Sequence, residues 1–386
     1  MIHLLIFSDR NGIFGAEQID HRLALGFREA GFQVSMAQPT ADNVLIEERR
    51  GHGIPHHWLP VEDIYNWRVP APSLSDPGPA ECCFAEARPD LILFTDSFPL
   101  ANLAAKEAAA RLGIPYLVLV HCVQPAWAEQ YAPFLPRLPN LYVAAREVVA
   151  VSTENLELLR GHFGLDPERG RVVLNGRPAV FFQPRNEAER RRVRAELGVT
   201  EDQLLVLTVG RYETVKGYDK FLDALPLLRR CPHWDRLAFA WAGSGTMADA
   251  LRRVARMLGG GRVRVLGERG DVPALLDAAD LMAHPARFEG MPLVLLEAMA
   301  KGLPIIASSV SGIPEALGDT GLLLPSPIGT PDFKQHLADA LCALAGDAER
   351  RLALGHAARD RAVARFTEAR MIGDWTDLVR RAAGPA

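Results

Sequence analysis

Arg287-Phe288-Glu289-Gly290-Met291-Pro292-Leu293-Val294-Leu295-Leu296-Glu297-Ala298-Met299-Ala300-Lys301-Gly302 follows an apolar run at residues 281–284. The run has the length of a strand, and residues 293–301 read as a helix. Pro292 suits the first helical position, where a missing N–H costs nothing, and Gly302 suits the stop. A buried strand that opens through a loop into a helix is the unit of a parallel α/β sheet. Free amides at the helix start can hold a phosphate. Glu289 lies in the loop and Glu297 on the second turn of the helix, towards the same end. One carboxylate can then take a ribose diol and the other the hydroxyls of a second ring. The plain alternative is an amphipathic helix with two solvated glutamates.

The same unit recurs along the chain. Apolar runs of strand length occupy residues 4–7, 33–37, 56–59, 91–95, 116–120 and 148–151, then 204–209, 237–242, 263–266, 281–284 and 305–308. Helical patterns at 17–30, 217–229, 247–258, 272–278 and 293–301 lie among them, and 366–382 is helical with no strand after it. Residues 60–80 hold Pro60, Pro70, Pro72, Pro77 and Pro79 and read as an irregular loop. Runs without polar alternation suit sheets covered on both faces. The reading is α/β, with two doubly wound, parallel-sheet, Rossmann-like domains. They join near Asn175-Gly176-Arg177-Pro178, and the expected division is residues 1–175, with 366–386 packing back, against 176–365.

Composition agrees with this size. The chain has 386 residues, 48% apolar and 23% charged, which excludes a disordered chain and a disulfide miniprotein. No apolar run approaches the ~18 residues of a membrane span, and the N-terminus lacks a basic leader, so a cytoplasmic protein is expected. The five cysteines are scattered and odd in number, so neither a disulfide framework nor a zinc site is expected. The net charge of −4 argues against nucleic acid as a partner. Residues 1–175 carry 14 basic and 21 acidic side chains, and residues 176–386 carry 29 and 26, so anion affinity is expected in the second half.

Ligands of open α/β sheets bind beyond the carboxyl ends of strands. After residues 204–209 come Gly210-Arg211 and then Lys216-Gly217, two cations with glycines beside them, suited to a diphosphate. Their spacing is not that of a P-loop. Gly12-Ile13-Phe14-Gly15-Ala16-Glu17 follows the first strand and lacks the full dinucleotide fingerprint. His121 and Asp96 each end a strand of the first half. No D-x-D pair, H-E-x-x-H or G-x-S-x-G occurs.

Taken in order, these segments resemble the retaining glycosyltransferases of family four, which have the two-domain B-type (GT-B) fold. Glu289 and Glu297 resemble the family's E-x7-E motif, and the stretch from 262 to 317 carries the most specific likeness. Gly210-Arg211 and Lys216-Gly217 resemble its phosphate-binding pair, Gly12–Glu17 its N-terminal glycine loop, and His121 its strand-end histidine. The chain departs from the family at Ala286, where a small polar residue is usual, and in its glycine loop, where the two glycines are not adjacent.

The resemblance implies two domains facing across a cleft and a sugar-nucleotide donor, UDP-linked in preference to GDP-linked. It implies that Arg211 and Lys216 hold the donor's diphosphate, that Glu297 takes the ribose, and that Glu289 with the backbone of Gly290, Met291, Pro292 and Leu293 holds the sugar and phosphate. Gly267 and Arg269 would lie near the base, Gly15 near the phosphate, and His121 at the donor sugar. No metal and no cofactor are expected, because two fixed cations replace the ion. The acceptor class stays open among saccharide, lipid-linked and small-molecule hydroxyls, and so does peripheral membrane contact. The alternatives are a same-fold nucleotide-sugar epimerase and a non-catalytic glycosyltransferase-like binding subunit.

Overall fold

The computed structural model describes residues 1–60, 72–258 and 260–384. The chain divides into two units, Met1–Gly176 with Glu368–Ala386, and Arg177–Thr367. In the first, β1 (His3–Ser8), β2 (Gln33–Pro39), β3 (His56–Leu59), β4 (Leu91–Asp96), β5 (Tyr116–Val120), β6 (Glu147–Ala150) and β7 (Arg171–Val172) form one sheet. The order is β3-β2-β1-β4-β5-β6-β7 and every pairing is parallel. The central strands β4 and β5 are buried along their whole length, as their unbroken apolar sequence requires. On one face Phe7, Phe94 and Tyr116 meet edge to face, with ring centroids 5.4 and 5.5 Å apart. The chain runs outward from β1 in one direction and returns through β4 in the other, so the strand order reverses between them.

The second unit repeats the plan. Its strands are β8 (Leu204–Val209), β9 (Leu237–Ala242), β10 (Val263–Gly267), β11 (Leu281–His284), β12 (Ile305–Ser308) and β13 (Leu322–Leu324). Their order is β10-β9-β8-β11-β12-β13, again all parallel, with the reversal between β8 and β11. Trp241 fills the core against Tyr218 and Phe221, at 5.8 and 5.3 Å.

Several sequence expectations change. The edge strands β7 and β13 were not expected, because two or three residues carry no pattern. Of the expected loop 60–80, residues 61–71 lie outside the described residues; the rest holds a 3-10 turn, Pro72–Leu74, and a helix, Gly78–Ala87. Pro79 sits in that helix's first turn, where it is tolerated. Cys231 and Cys342 form a disulfide, contrary to the reading of scattered cysteines. The helices Tyr218–Leu228 and Phe333–Gly346 pack together, and this brings two residues 111 apart into bonding range.

The last helix, Glu368–Ala383, belongs to the first unit, where it packs on the helix Gly15–Glu29. Gly26 faces Ile372 so closely that a Cβ there would lie 2.5 Å from Ile372 Cδ1. Among the described residues no helix is long and apolar enough to cross a membrane.

Candidate functional site

In the second unit Lys216, His284 and Glu289 meet beyond β8 and β11, where the strand order reverses. The loop after β8 passes Gly210 and Arg211, turns through the 3-10 segment Thr214–Lys216, and enters the next helix at Gly217. Gly217 has φ +74°, and a Cβ on it would lie 1.8 Å from the Pro285 carbonyl oxygen. Only glycine lets the two loops approach this closely. The approach brings Lys216 Nζ to 2.5 Å from Glu289 Oε1.

His284, the last residue of β11, shares that oxygen, with Nε2 2.7 Å from Glu289 Oε1. The Glu289 amide donates to Ser311 Oγ at 3.2 Å. Burial alone would raise the Glu289 pKa. The Lys216 charge and the His284 hydrogen bond outweigh it and bring the value down to about 2. A buried carboxylate held in its ionised form thus lies between two donors.

The helix that follows runs Leu293–Ala300. Pro292 is its N-cap, with ψ 113°, one position earlier than expected, because the residue is extended rather than helical. Gly302 at φ +70° ends the helix as expected, its N–H donating to Met299 O at 2.9 Å. Gly290, Met291, Pro292 and Leu293 are all buried, and Gly290 O accepts from Gly312 N at 3.0 Å. Glu297 is buried one turn on and meets Arg177 at 2.6 Å, also buried, whose guanidinium stacks over Phe181 at 5.0 Å. Burial raises the Glu297 pKa while the Arg177 charge opposes it.

Arg211 is half-buried beside Gly210. Gly267 closes β10 at φ +79° and donates to the Tyr212 hydroxyl at 3.2 Å. Arg269 has its guanidinium held between Asp271, at 2.7 and 2.8 Å, and Glu196, at 2.5 Å.

In the first unit Gly15 opens the helix Gly15–Glu29, and His121 follows β5. His121 is buried, with Nε2 3.0 Å from Asp20 Oδ1 on that same helix. Asp96 makes a fully buried ion pair with Lys106 at 2.5 Å, and Asn102 Nδ2 donates to its other oxygen at 2.9 Å. These contacts give Asp96 a structural task. The structure therefore gathers Lys216, Glu289 and the 290–293 backbone in one place, and it ties the glycine-loop helix to His121 in another. Sequence reasoning missed His284, Arg177 and Asp20. His284 was read only as the end of a strand, and Arg177 only as part of a turn.

Residues 14–179 match the family described as Glycosyltransferase Family 4, and residues 203–347 match the one described as Glycosyl transferases group 1. The alpha-maltose-1-phosphate synthase of Mycolicibacterium smegmatis is 30% identical over 299 residues, which are 72% of this chain and 76% of that protein. The chain belongs to glycosyltransferase family 4.

A second family relative, the D-inositol 3-phosphate glycosyltransferase of Corynebacterium glutamicum, is 35% identical over 227 residues, 56% of this chain. That match spans 53% of the relative, about half its length. Crystal structures share the fold over nearly the whole chain. Anabaena Alr3699/HepE superposes with a TM-score of 0.80 at 22% identity, covering 98% of this chain and 99% of that one. WaaG, described as a glycosyltransferase of lipopolysaccharide biosynthesis, gives 0.73 at 20% identity, with 98% and 99% covered. The fold is the B-type glycosyltransferase fold.

Proposed function

We propose that this family 4 protein is a retaining glycosyltransferase. It would move a sugar from a nucleotide-diphosphate donor to a hydroxyl acceptor without a metal ion. The observation that carries the reading is the convergence of Lys216 and Glu289 beyond β8 and β11, at the start of the helix Leu293–Ala300. In the reaction the bond between the anomeric carbon and the diphosphate oxygen breaks. Positive charge grows on the sugar and negative charge on the departing diphosphate. Lys216 and Arg211 stabilise that negative charge more in the transition state than in the ground state. The amides of Gly290, Met291 and Leu293 add donors where phosphate oxygens come to lie. Glu289 orients Lys216 and meets hydroxyls of the transferred sugar, and Glu297 meets the ribose. The acceptor oxygen bonds to the anomeric carbon on the face the diphosphate leaves, and its proton passes to the diphosphate.

A uridine donor is favoured over a guanosine donor. Alr3699/HepE, a neighbour in fold, has been solved with UDP and with UDP-glucose. The names of the two sequence relatives, one an inositol phosphate enzyme and one a maltose phosphate synthase, support a small saccharide-like acceptor. The test is transfer of radiolabel from UDP- and GDP-sugars to added acceptors in excess chelator, paired with melting curves in UDP and GDP. Transfer that survives chelation supports the reading. Full loss on chelation, restored by a divalent ion, overturns the metal-free part. No transfer from any donor, with no thermal shift in either nucleotide, overturns the whole.

A further inference from the structure

Asp20 lies in the middle of the helix Gly15–Glu29 and is 2% exposed. Both of its carboxylate oxygens face inward. Oδ2 accepts from Ser8 Oγ at 2.9 Å and from Thr95 Oγ1 at 2.8 Å, while Oδ1 accepts from His121 Nε2 at 3.0 Å. Ser8 ends β1, Thr95 lies at the end of β4 in register with it, and His121 follows β5. One carboxylate therefore reaches the carboxyl ends of three neighbouring strands, at the point where the strand order reverses. The histidine's backbone is fixed as well. Its N–H donates to Asp96 O at 2.9 Å, and its carbonyl accepts from the buried Asn155 Nδ2 at 3.4 Å.

A residue needed only to fill this position would not be charged. Burying a carboxylate costs several kcal/mol unless hydrogen bonds satisfy it. Here two hydroxyls satisfy one oxygen, and the other is given to an imidazole. An ionised carboxylate is an acceptor only, so the nitrogen it meets carries the proton. In the neutral ring the second nitrogen, Nδ1, is then an acceptor.

We propose that Asp20 is a positioning residue for His121, holding the ring in its Nε2–H tautomer so that Nδ1 is the atom offered to the donor sugar. The proposal rests on the reading that His121 contacts that sugar. It narrows what the contact recognises. Nδ1 of such a ring accepts a hydrogen bond from a hydroxyl and repels a carboxylate or phosphate. The donor sugar thus carries a free hydroxyl at the contacted carbon, and a uronic acid or sugar phosphate at that carbon is refused.

Nitrogen-15 spectra of histidine-labelled full-length protein test the tautomer directly, with the His121 signals assigned by their loss in His121→Gln. A protonated Nε2 and unprotonated Nδ1 are expected, and the reverse pattern or a ring protonated on both nitrogens overturns the proposal without any variant of Asp20 having to fold. Asp20→Asn, checked for fold by circular dichroism, is expected to lower kcat/KM by about 10-fold or more, since losing a residue that orients a functional histidine costs from about 10-fold to about 10⁴-fold. It is also expected to mix the two tautomers, and Asp20→Glu is expected to restore part of the activity. An Asp20→Asn protein with a lower melting temperature but an unchanged tautomer and kcat/KM overturns the proposal, because that is the outcome of a purely structural staple. His121→Gln separates the two failures. Full activity in that variant defeats the contact between His121 and the sugar, whereas a loss there beside an unaffected Asp20→Asn defeats only the positioning role.

Discussion

Lys216 Nζ and Glu289 Oε1 meet at 2.5 Å although 73 residues separate them in sequence. The pair joins the loops that follow two neighbouring strands, β8 and β11. In the proposed reaction Lys216 then has two anionic partners, Glu289 beside it and the diphosphate it stabilises. Arg211→Ala should lower turnover about a hundredfold or more while the fold survives, and Lys216→Ala should lower turnover at least as much and the melting temperature with it, because the buried Glu289 carboxylate loses its cation. Initial rates at saturating donor measure this. Unchanged turnover in both variants would remove the cations from the mechanism.

Glu297 and Arg177 form a second buried pair, and it tests separately. Arg177→Met leaves a carboxylate buried without its cation and should destabilise the second unit by about 3–5 kcal/mol. Replacing both residues with apolar ones of similar volume should recover most of that loss. If Glu297 takes the ribose, the double variant should be nearly as stable as the natural chain and yet bind nucleoside diphosphate more weakly by calorimetry. Undiminished affinity in a stable double variant would contradict the ribose role.

Gly217→Ala is the severest single-atom test of the site. The added carbon meets the Pro285 carbonyl at 1.8 Å and is held at φ +74°, so the two loops must separate. Strain of this kind costs about 1–3 kcal/mol before the clash is counted. Thermal unfolding should show a clear loss, and donor turnover should fall with it. Gly113→Ala makes a useful comparison, since it shares a positive φ with open space around it.

Acid should weaken the first unit through two histidines. Burial lowers the pKa of His21 to about 4 despite the pull of Glu48, and burial aided by Arg49 and Arg50 lowers that of His56 to about 4. In the unfolded chain both titrate near ~6.5. Below that pH the unfolded chain takes up protons that the fold refuses. Their contribution is therefore fully present above about pH 6.5, is lost as the pH falls towards 4, and levels off below it. Melting temperatures between pH 7 and 4.5 should fall, and the slope should flatten in His21→Gln/His56→Gln. An equally steep slope in the double variant would place the effect elsewhere.

The central architecture was legible because buried parallel strands are continuous apolar runs. β5, β8, β9, β11 and β12 begin and end where those runs do. β7 and β13 were not, since edge strands of two or three residues are set by their neighbours rather than by their own pattern. The expected join at 175/176 and the division at 176/177 differ by one residue. In the site, Lys216 and Glu289 could be singled out because each follows a strand and lies beside a glycine. Asp20 could not. It is one polar residue inside an amphipathic helix, and its partner lies 101 positions away. The Cys231–Cys342 bond was hidden for the same reason, because only the packing of two helices brings its ends together.

The helix Glu368–Ala383 completes the face of the helix Gly15–Glu29, yet every residue of the second unit is translated before it. During synthesis the first unit therefore begins before the second and is completed after it. Until residues 368–383 leave the ribosome, the surface around Gly26 that Ile372 covers stays wet.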